Sequence, residues 1–126
     1  TPRSKGLVAQ NDEAAVRELT GEAFTTEVER RRPDALMELH GVAWPTASAI
    51  LHVCHRDPYP MLDPRALYSL GIDHDEYWSL TYNFAFWWSY VQFCRDFAAS
   101  CRVDMRTLDR ALYRYAYDSQ PGTISR

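Results

Sequence analysis

The sequence lacks the features that would place it at once in a membrane, secreted or strongly basic class. No run of about 18 apolar residues exists, so no membrane span is predicted; the aromatic stretch 84–93 is too short. The 3 cysteines form no Cys-x-x-Cys pair, which predicts reduced, mostly buried thiols in a cytoplasmic protein. The net charge of -3 argues against nucleic-acid binding by overall charge alone, although a local site remains compatible with it.

The apolar and charged residues that are present indicate one globular domain. Hydrophobic residues make up 46% of the 126 positions and charged residues 25%. Apolar residues recur at helical spacing and no alternating strand pattern appears, so we predict an all-α, compact helical domain. It would span residues 11–118, between a flexible arm (1–10) and a C-terminal tail (119–126). Because the chain begins at Thr1 rather than Met, we expect that the true N-terminus lies upstream or has been removed.

Helix starts and one aromatic stripe are readable from local patterns. A helix over 13–32 would carry Arg30, Arg31 and Arg32 in its last turn. The aromatic stripe is expected to be buried in a long helix that ends near Ser100. The predicted N-cap residues are Asn11 or Asp12, Asp63, Asp73 or Asp75, and Asp104. The stripe consists of Tyr82, Phe86, Tyr90, Phe93 and Phe97.

The stretch "LHGVAWPTASAIL", residues 39–51, predicts two helices joined by a tight turn. Gly41 would end the first helix, and Pro45 or Thr46 would begin the second. Backbone N–H groups at such a turn carry partial positive charge and can receive a phosphate, while glycine permits a close approach of DNA. These residues alone leave a second interpretation open and more common, a purely structural turn between packed helices.

Together with "YPMLD", which ends at Asp63, this stretch resembles the helix-hairpin-helix DNA glycosylase superfamily. That superfamily includes endonuclease III, the MutY-type adenine glycosylases and the AlkA-type alkylbase glycosylases. Its pattern is Leu-Pro-Gly-Val-Gly, then Thr-Ala, an apolar helix and a later Asp. The matching positions here are Leu39, Gly41, Val42, Thr46, Ala47, Ile50, Leu51 and Asp63. The resemblance covers residues 33–71 and implies a DNA-glycosylase-like fold containing one helix-hairpin-helix motif.

The resemblance also implies roles for particular residues. Asp63 would be the catalytic carboxylate that stabilises positive charge on the sugar as the base leaves, or that helps to activate water. Asp63 before Pro64 is equally typical of a helix cap, and one residue can do both. The residues implied to contact duplex DNA are Gly41, Val42, Ala43, Trp44, Thr46 and Arg65. The backbone carbonyls implied to hold a Na⁺ or K⁺ ion are those of Met37, Leu39 and Val42.

The chain departs from the family pattern at several points. Ala43 replaces the second glycine of the turn, and Pro45 stands where lyase members carry a catalytic Lys. Since Pro has no amine for a Schiff base, any activity would be that of a monofunctional DNA N-glycosylase without lyase activity. The cysteines of an iron–sulfur cluster are missing, so no cofactor beyond the alkali ion is expected. Residues 1–35 are too few for the family's other subdomain, so a protein partner or an upstream segment would complete the fold.

The main alternative is a non-catalytic helix-hairpin-helix domain. It would serve as a DNA- or protein-interaction module, or as a subunit of a larger complex. A third possibility is a helical interaction domain in which the hairpin is only structural.

Other polar and aromatic groups carry weaker signals. Trp87, Trp88 and Tyr90 are more typical of core than of a base-stacking platform. Residues 30–32 fit either a phosphate patch or, more commonly, a solvated helix end. His52 and His55 share a helix face without a second ligand pair, which is weak evidence for a metal. Asp109 is interleaved with a row of arginines, which predicts a salt-bridged surface. The row consists of Arg106, Arg110 and Arg114.

Overall fold

The computed structural model describes residues 2–72 and 82–119, and in those ranges it contains helices and no strand. The all-α prediction is therefore confirmed for this part of the chain. The helices are α1 Pro2–Val8, α2 Glu13–Thr25, α3 Arg31–Met37, α4 Trp44–Cys54, α5 Pro64–Ser69, α6 Phe84–Cys101 and α7 Met105–Ser119. None of these helices is long and apolar enough to cross a membrane. The chain divides into two units, Thr1–Ile50 and Leu51–Arg126, and each is described by itself.

In the first unit, α2 packs against α3. Asp12 caps α2 as predicted, since its carboxylate accepts a hydrogen bond from the amide of Ala15 at 2.7 Å. The helix runs through Gly21 but ends at Thr25, earlier than the predicted residue 32. Thr26 is extended and its hydroxyl accepts a hydrogen bond from Val28, so a side-chain turn ends the helix.

The predicted position of the arginines in the last turn of α2 is therefore wrong, because they begin α3. Arg31 pairs with Glu22 at 2.5 Å and with Glu38 at 2.7 Å. These two carboxylates raise the pKa of Arg31, so it stays charged. Arg32 is buried, and its guanidinium donates to the carbonyl of Ala23 at 3.0 Å. Arg31 and Arg32 thus have partners within the chain, and the phosphate patch at residues 30–32 stays a prediction.

Residues 1–10, for which the sequence predicts a flexible arm, contain helix α1. Asn11 connects this region to the turn after α3. Its side-chain amide donates to the carbonyls of Val8 and His40, each at 3.0 Å, and the amide of His40 donates back to Asn11 at 2.8 Å. A composition rich in polar residues did not reveal this helix, because a contact distant in sequence holds it.

In the second unit, α7 packs against both α5 and α6. The buried face of α7 carries Leu108 and Leu112, and the hydroxyl of Ser69 at the end of α5 donates to the carbonyl of Leu112 at 2.5 Å. Asp104 caps α7 as predicted, accepting from the amide of Thr107 at 2.7 Å. This bond lowers the pKa of Asp104.

The aromatic helix α6 buries a different face from the one predicted. Its buried residues are Trp87, Tyr90, Val91, Cys94 and Ala98. Of the predicted stripe only Tyr90 is buried, and Phe93 is 51% exposed. The ring of Tyr59, outside the helix, stacks on Trp87 at 5.8 Å and so helps to select this face. The core interpretation of Trp87 is confirmed.

The start of α6 and the cysteines also differ from expectation. Asn83 caps α6, accepting from the amide of Phe86 at 2.8 Å, whereas the predicted caps Asp73 and Asp75 lie outside the described residues. All three cysteines are free, but only Cys94 is buried; the prediction of mostly buried thiols is wrong for the exposed pair, Cys54 and Cys101.

Two glycines give a matched test of this backbone. Gly41 has a φ of +82°, and a Cβ there would lie 2.9 Å from a methyl carbon of Val8. We expect Gly41→Ala to lower the free energy of unfolding by about 1–3 kcal/mol through backbone strain and this clash. Gly21, inside α2 with open space around it, should instead gain about 0.5–1 kcal/mol on substitution by Ala. Urea unfolding of both variants measures the difference, and equal stability of the two would contradict the structure.

Candidate functional site

The turn between α3 and α4 lies where the sequence predicts it. Glu38 follows the end of α3, and the amide of Val42 donates across the turn to the carbonyl of Leu39 at 3.3 Å. The amide of Ala47 donates to the carbonyl of Ala43 at 2.9 Å, which makes Ala43 the N-cap position of α4. Alanine has no side-chain oxygen, so Ala43 cannot supply the kind of side-chain cap that Asp12 or Asp104 supplies elsewhere.

The residues implied to contact DNA at this turn differ in exposure. Ala43 and Thr46 are exposed, as is Pro45 nearby in the sequence, whereas the other three predicted contacts of the turn are half-buried. Those three are Gly41, Val42 and Trp44. The exposed positions all belong to the start of α4, so an acceptor arriving from outside would meet that helix end first.

The glycine of the turn has a partner within the chain. A Cβ on Gly41 would lie 3.0 Å from Cβ of Leu7 and from the backbone nitrogen of Val8, both in the last turn of α1. The missing side chain therefore makes room for α1. The expectation that this glycine admits a close approach of DNA stays a prediction, and α1 is a sufficient structural reason for the residue.

Of the three carbonyls implied to hold an alkali ion, one already accepts a hydrogen bond within the chain. That of Leu39 already accepts the amide of Val42, which leaves it one lone pair for a cation. In the described ranges, no group of three or more His, Cys, Asp or Glu side chains is arranged to hold a metal. The alkali ion stays a prediction.

Asp63 lies at the N-terminus of α5, as the sequence predicts, and its capping role is confirmed. Its Oδ1 atom accepts hydrogen bonds from the amides of Arg65 at 2.8 Å and Ala66 at 3.0 Å. Within the part of the chain that the structure describes, Oδ2 receives no hydrogen bond. The side chain is half-buried, so this second oxygen belongs to a fixed carboxylate with one lone-pair edge unused.

Arg65, the remaining predicted DNA contact, lies against an aromatic ring. Its guanidinium carbon is 4.9 Å from the centre of the Tyr113 ring on α7. Arg65 is half-buried there. This cation–π contact gives Arg65 a structural partner and aligns the start of α5 with α7.

Asp109 is a functional candidate that the sequence did not reveal. We predicted a salt-bridged surface for its helix, but in the described ranges only Arg114 of that row forms an ion pair, with Asp118 at 3.0 Å. Asp109 is half-buried and unpaired there. Burial raises the pKa of the Asp109 carboxyl, His52 lowers it, and the negative charge of Asp63 raises it further. The spacing of residues in the sequence could not reveal the interaction between Asp109 and Asp63, since it depends on how α5 packs against α7.

Three groups line the same region of the second unit. His52 contacts the carbonyl of Tyr59 through Nδ1 at 2.7 Å; a carbonyl can only accept, so Nδ1 carries the hydrogen. The hydroxyl of Tyr90 donates to the carbonyl of Met61 at 2.8 Å. Burial is the main reason that the pKa of the Cys94 thiol rises to about 12, which excludes a thiolate nucleophile at neutral pH.

Comparisons with known protein families, with curated proteins and with solved structures find no match to this chain. The resemblance to DNA glycosylases therefore depends on the residues quoted above.

The cap at Asp63 can be separated from any chemical role by two substitutions. Asp63→Ala removes both hydrogen bonds to the start of α5 and should cost about 1 kcal/mol of stability. Asp63→Asn keeps an accepting oxygen and should lower the free energy of unfolding by only a few tenths of the loss expected for Asp63→Ala. Thermal and urea unfolding of the two variants measure this. Equal losses would mean that Oδ1 does not cap the helix.

Proposed function

We propose that this protein binds duplex DNA and, as a monofunctional DNA N-glycosylase, hydrolyses the N-glycosidic bond of a modified base. The observation that carries the proposal is the fixed Asp63 carboxylate with Oδ2 unbonded among the described residues. Oδ1 serves the cap, so Oδ2 remains available to a ligand. The resemblance of "YPMLD" to the glycosylase segment supports the same assignment.

The chemistry of base excision suits such a carboxylate. As the bond between the sugar and the base lengthens, positive charge develops on the sugar ring. A carboxylate that is already oriented stabilises this charge without having to reorganise in the transition state. The hydrogen bonds from the amides of Arg65 and Ala66 supply that orientation.

The turn before α4 supplies a feature suited to a DNA backbone. The first turn of α4 lacks a side-chain cap at Ala43, and Thr46 is exposed beside it. Amide groups at a helix start favour an anion, and a phosphate is the anion that DNA offers. Pro45, exposed in this turn, cannot form a Schiff base, so the proposed product is an abasic site rather than a cut strand.

A second candidate function is a non-catalytic interaction module, and one observation favours it. The close approach of α1 to Gly41 explains the glycine without any ligand. In that case the turn would organise the fold, and DNA binding through it would be absent or weak. The experiments below separate the two candidates.

The DNA-binding part of the proposal is tested by placing a negative charge at the turn. Thr46→Glu should weaken binding to a duplex by about tenfold, because the carboxylate repels a phosphate at the helix start. Gln92→Glu, an exposed change of the same kind on α6, is the control and should leave affinity unchanged. Fluorescence anisotropy in low and physiological salt measures both. Equal affinities for the two variants, or no binding of the wild type in low salt, would refute binding through this turn.

The catalytic part is tested on duplexes that carry either 7-methylguanine or hypoxanthine. We expect the wild type to convert such DNA to abasic sites, which alkali reveals as strand breaks on a gel. Asp63→Asn should lower the rate of base release by about 100-fold or more at unchanged DNA affinity, since it keeps the cap and removes the charge. Strand breakage by the wild type without alkali would contradict the monofunctional assignment. Unimpaired Asp63→Asn would exclude Asp63 as the catalytic carboxylate.

A further inference from the structure

Asp109 and Tyr113 belong to one row of α7, about one helical turn apart. Tyr113 receives the guanidinium of Arg65, which is the second residue after Asp63. The side of α7 that carries Asp109 therefore faces the start of α5, where Asp63 is the cap. The two helices, α5 and α7, are in direct contact.

The packing of α5 on α7 holds Asp109 in place. Ser69 bonds to the carbonyl of Leu112 at the other end of α5, and the buried residues Leu108 and Leu112 lie on either side of Asp109 in sequence. With both ends of the short helix attached to α7, the two carboxyl groups are held in one arrangement.

The electrostatics of the pair differ between its members. Asp63 accepts two amide hydrogen bonds, whereas no side-chain hydrogen bond to Asp109 is found in the described ranges. Burial raises the pKa of the Asp109 carboxyl, and the charge of Asp63 adds to that rise. Two carboxyl groups in unequal surroundings are the arrangement that separates an acid from a carboxylate in glycosidic hydrolysis.

We propose that Asp109 is a second catalytic residue, the general acid that protonates the departing base while Asp63 stabilises the sugar. This inference rests on the proposed glycosylase function. The bond between C1′ and the base nitrogen breaks, its electron pair goes to the base, and the proton of Asp109 goes to a ring nitrogen. A water molecule then adds to C1′ and returns a proton to Asp109. The products are the free base and an abasic sugar, with both carboxyl groups restored.

The pH dependence follows from the groups around Asp109. The groups that interact electrostatically with it are His52 on α4, Asp63 before α5, and Tyr90 and Cys94 on α6. On its own helix the neighbouring charges are Arg106 and Arg110. Because the folded-state pKa of Asp109 is raised, base release that needs its proton should fall as pH rises through that pKa. For the same reason Asp109→Asn should be more stable than the wild type at neutral pH, with the difference vanishing below the unfolded pKa.

The test compares two leaving groups in the same duplex sequence. Hypoxanthine is neutral and benefits from a proton, whereas 7-methylguanine already carries a positive charge and leaves as a neutral base. We expect Asp109→Asn to slow release of hypoxanthine by about 100-fold or more and to change release of 7-methylguanine by less than about threefold. Asp109→Glu should recover part of the hypoxanthine activity. Asp96→Asn, an exposed change on α6, is the control and should behave as wild type.

The outcomes separate this inference from the function on which it rests. If Asp63→Asn is inactive while Asp109→Asn releases both bases at the wild-type rate, the glycosylase stands and Asp109 is not its acid. If Asp109→Asn slows both bases equally, the residue has a structural role and the inference is wrong. If the wild type releases 7-methylguanine alone, no general acid operates. Release of neither base refutes the proposed function and the inference with it. Loss of the pH dependence of hypoxanthine release in Asp109→Asn supports the inference.

Discussion

The hydrogen bonds from Arg65 and Ala66 to Oδ1 of Asp63 determine where α5 begins. That short helix contacts α7 along its length, with Arg65 near Tyr113 at one end and Ser69 bonded to Leu112 at the other. The orientation of the Asp63 carboxylate and the position of Asp109 both depend on this contact. The structural and proposed catalytic roles of Asp63 therefore belong to one carboxylate. Oδ1 caps α5, and Oδ2 is left for the proposed catalysis.

Features that depend on nearest neighbours were readable from the sequence. The caps at Asp12, Asp63 and Asp104 act within three residues along the chain, and the structure contains each of them. The buried face of α6 could not be predicted from the sequence, because the helical spacing of its apolar residues is compatible with more than one face. The choice between faces came from Tyr59, a residue outside the helix. Helix α1 was missed for a related reason, since its contact with the turn at Gly41 spans much of the first unit.

The candidate site likewise contains one residue that the sequence predicts and one that it does not. Asp63 could be predicted from the residues around it and from the glycosylase resemblance. Asp109 could not, because its sequence neighbours Arg106 and Arg110 are typical of a charged surface. Only the packing of α5 on α7 brings it under the influence of Asp63. The turn at Gly41 shows the converse, since a motif typical of DNA contact also has a purely structural explanation.

The central claim is that the Asp63 carboxylate stabilises positive charge on a DNA sugar. Its most direct test is the affinity for two duplexes, one with a cationic pyrrolidine in place of a nucleoside and one with a neutral tetrahydrofuran. The pyrrolidine carries the charge of the transition state, so the wild type should bind it about tenfold more tightly or better, and Asp63→Asn should lose that preference. Equal affinity of the wild type for both duplexes, or an unchanged preference in Asp63→Asn, would contradict the account.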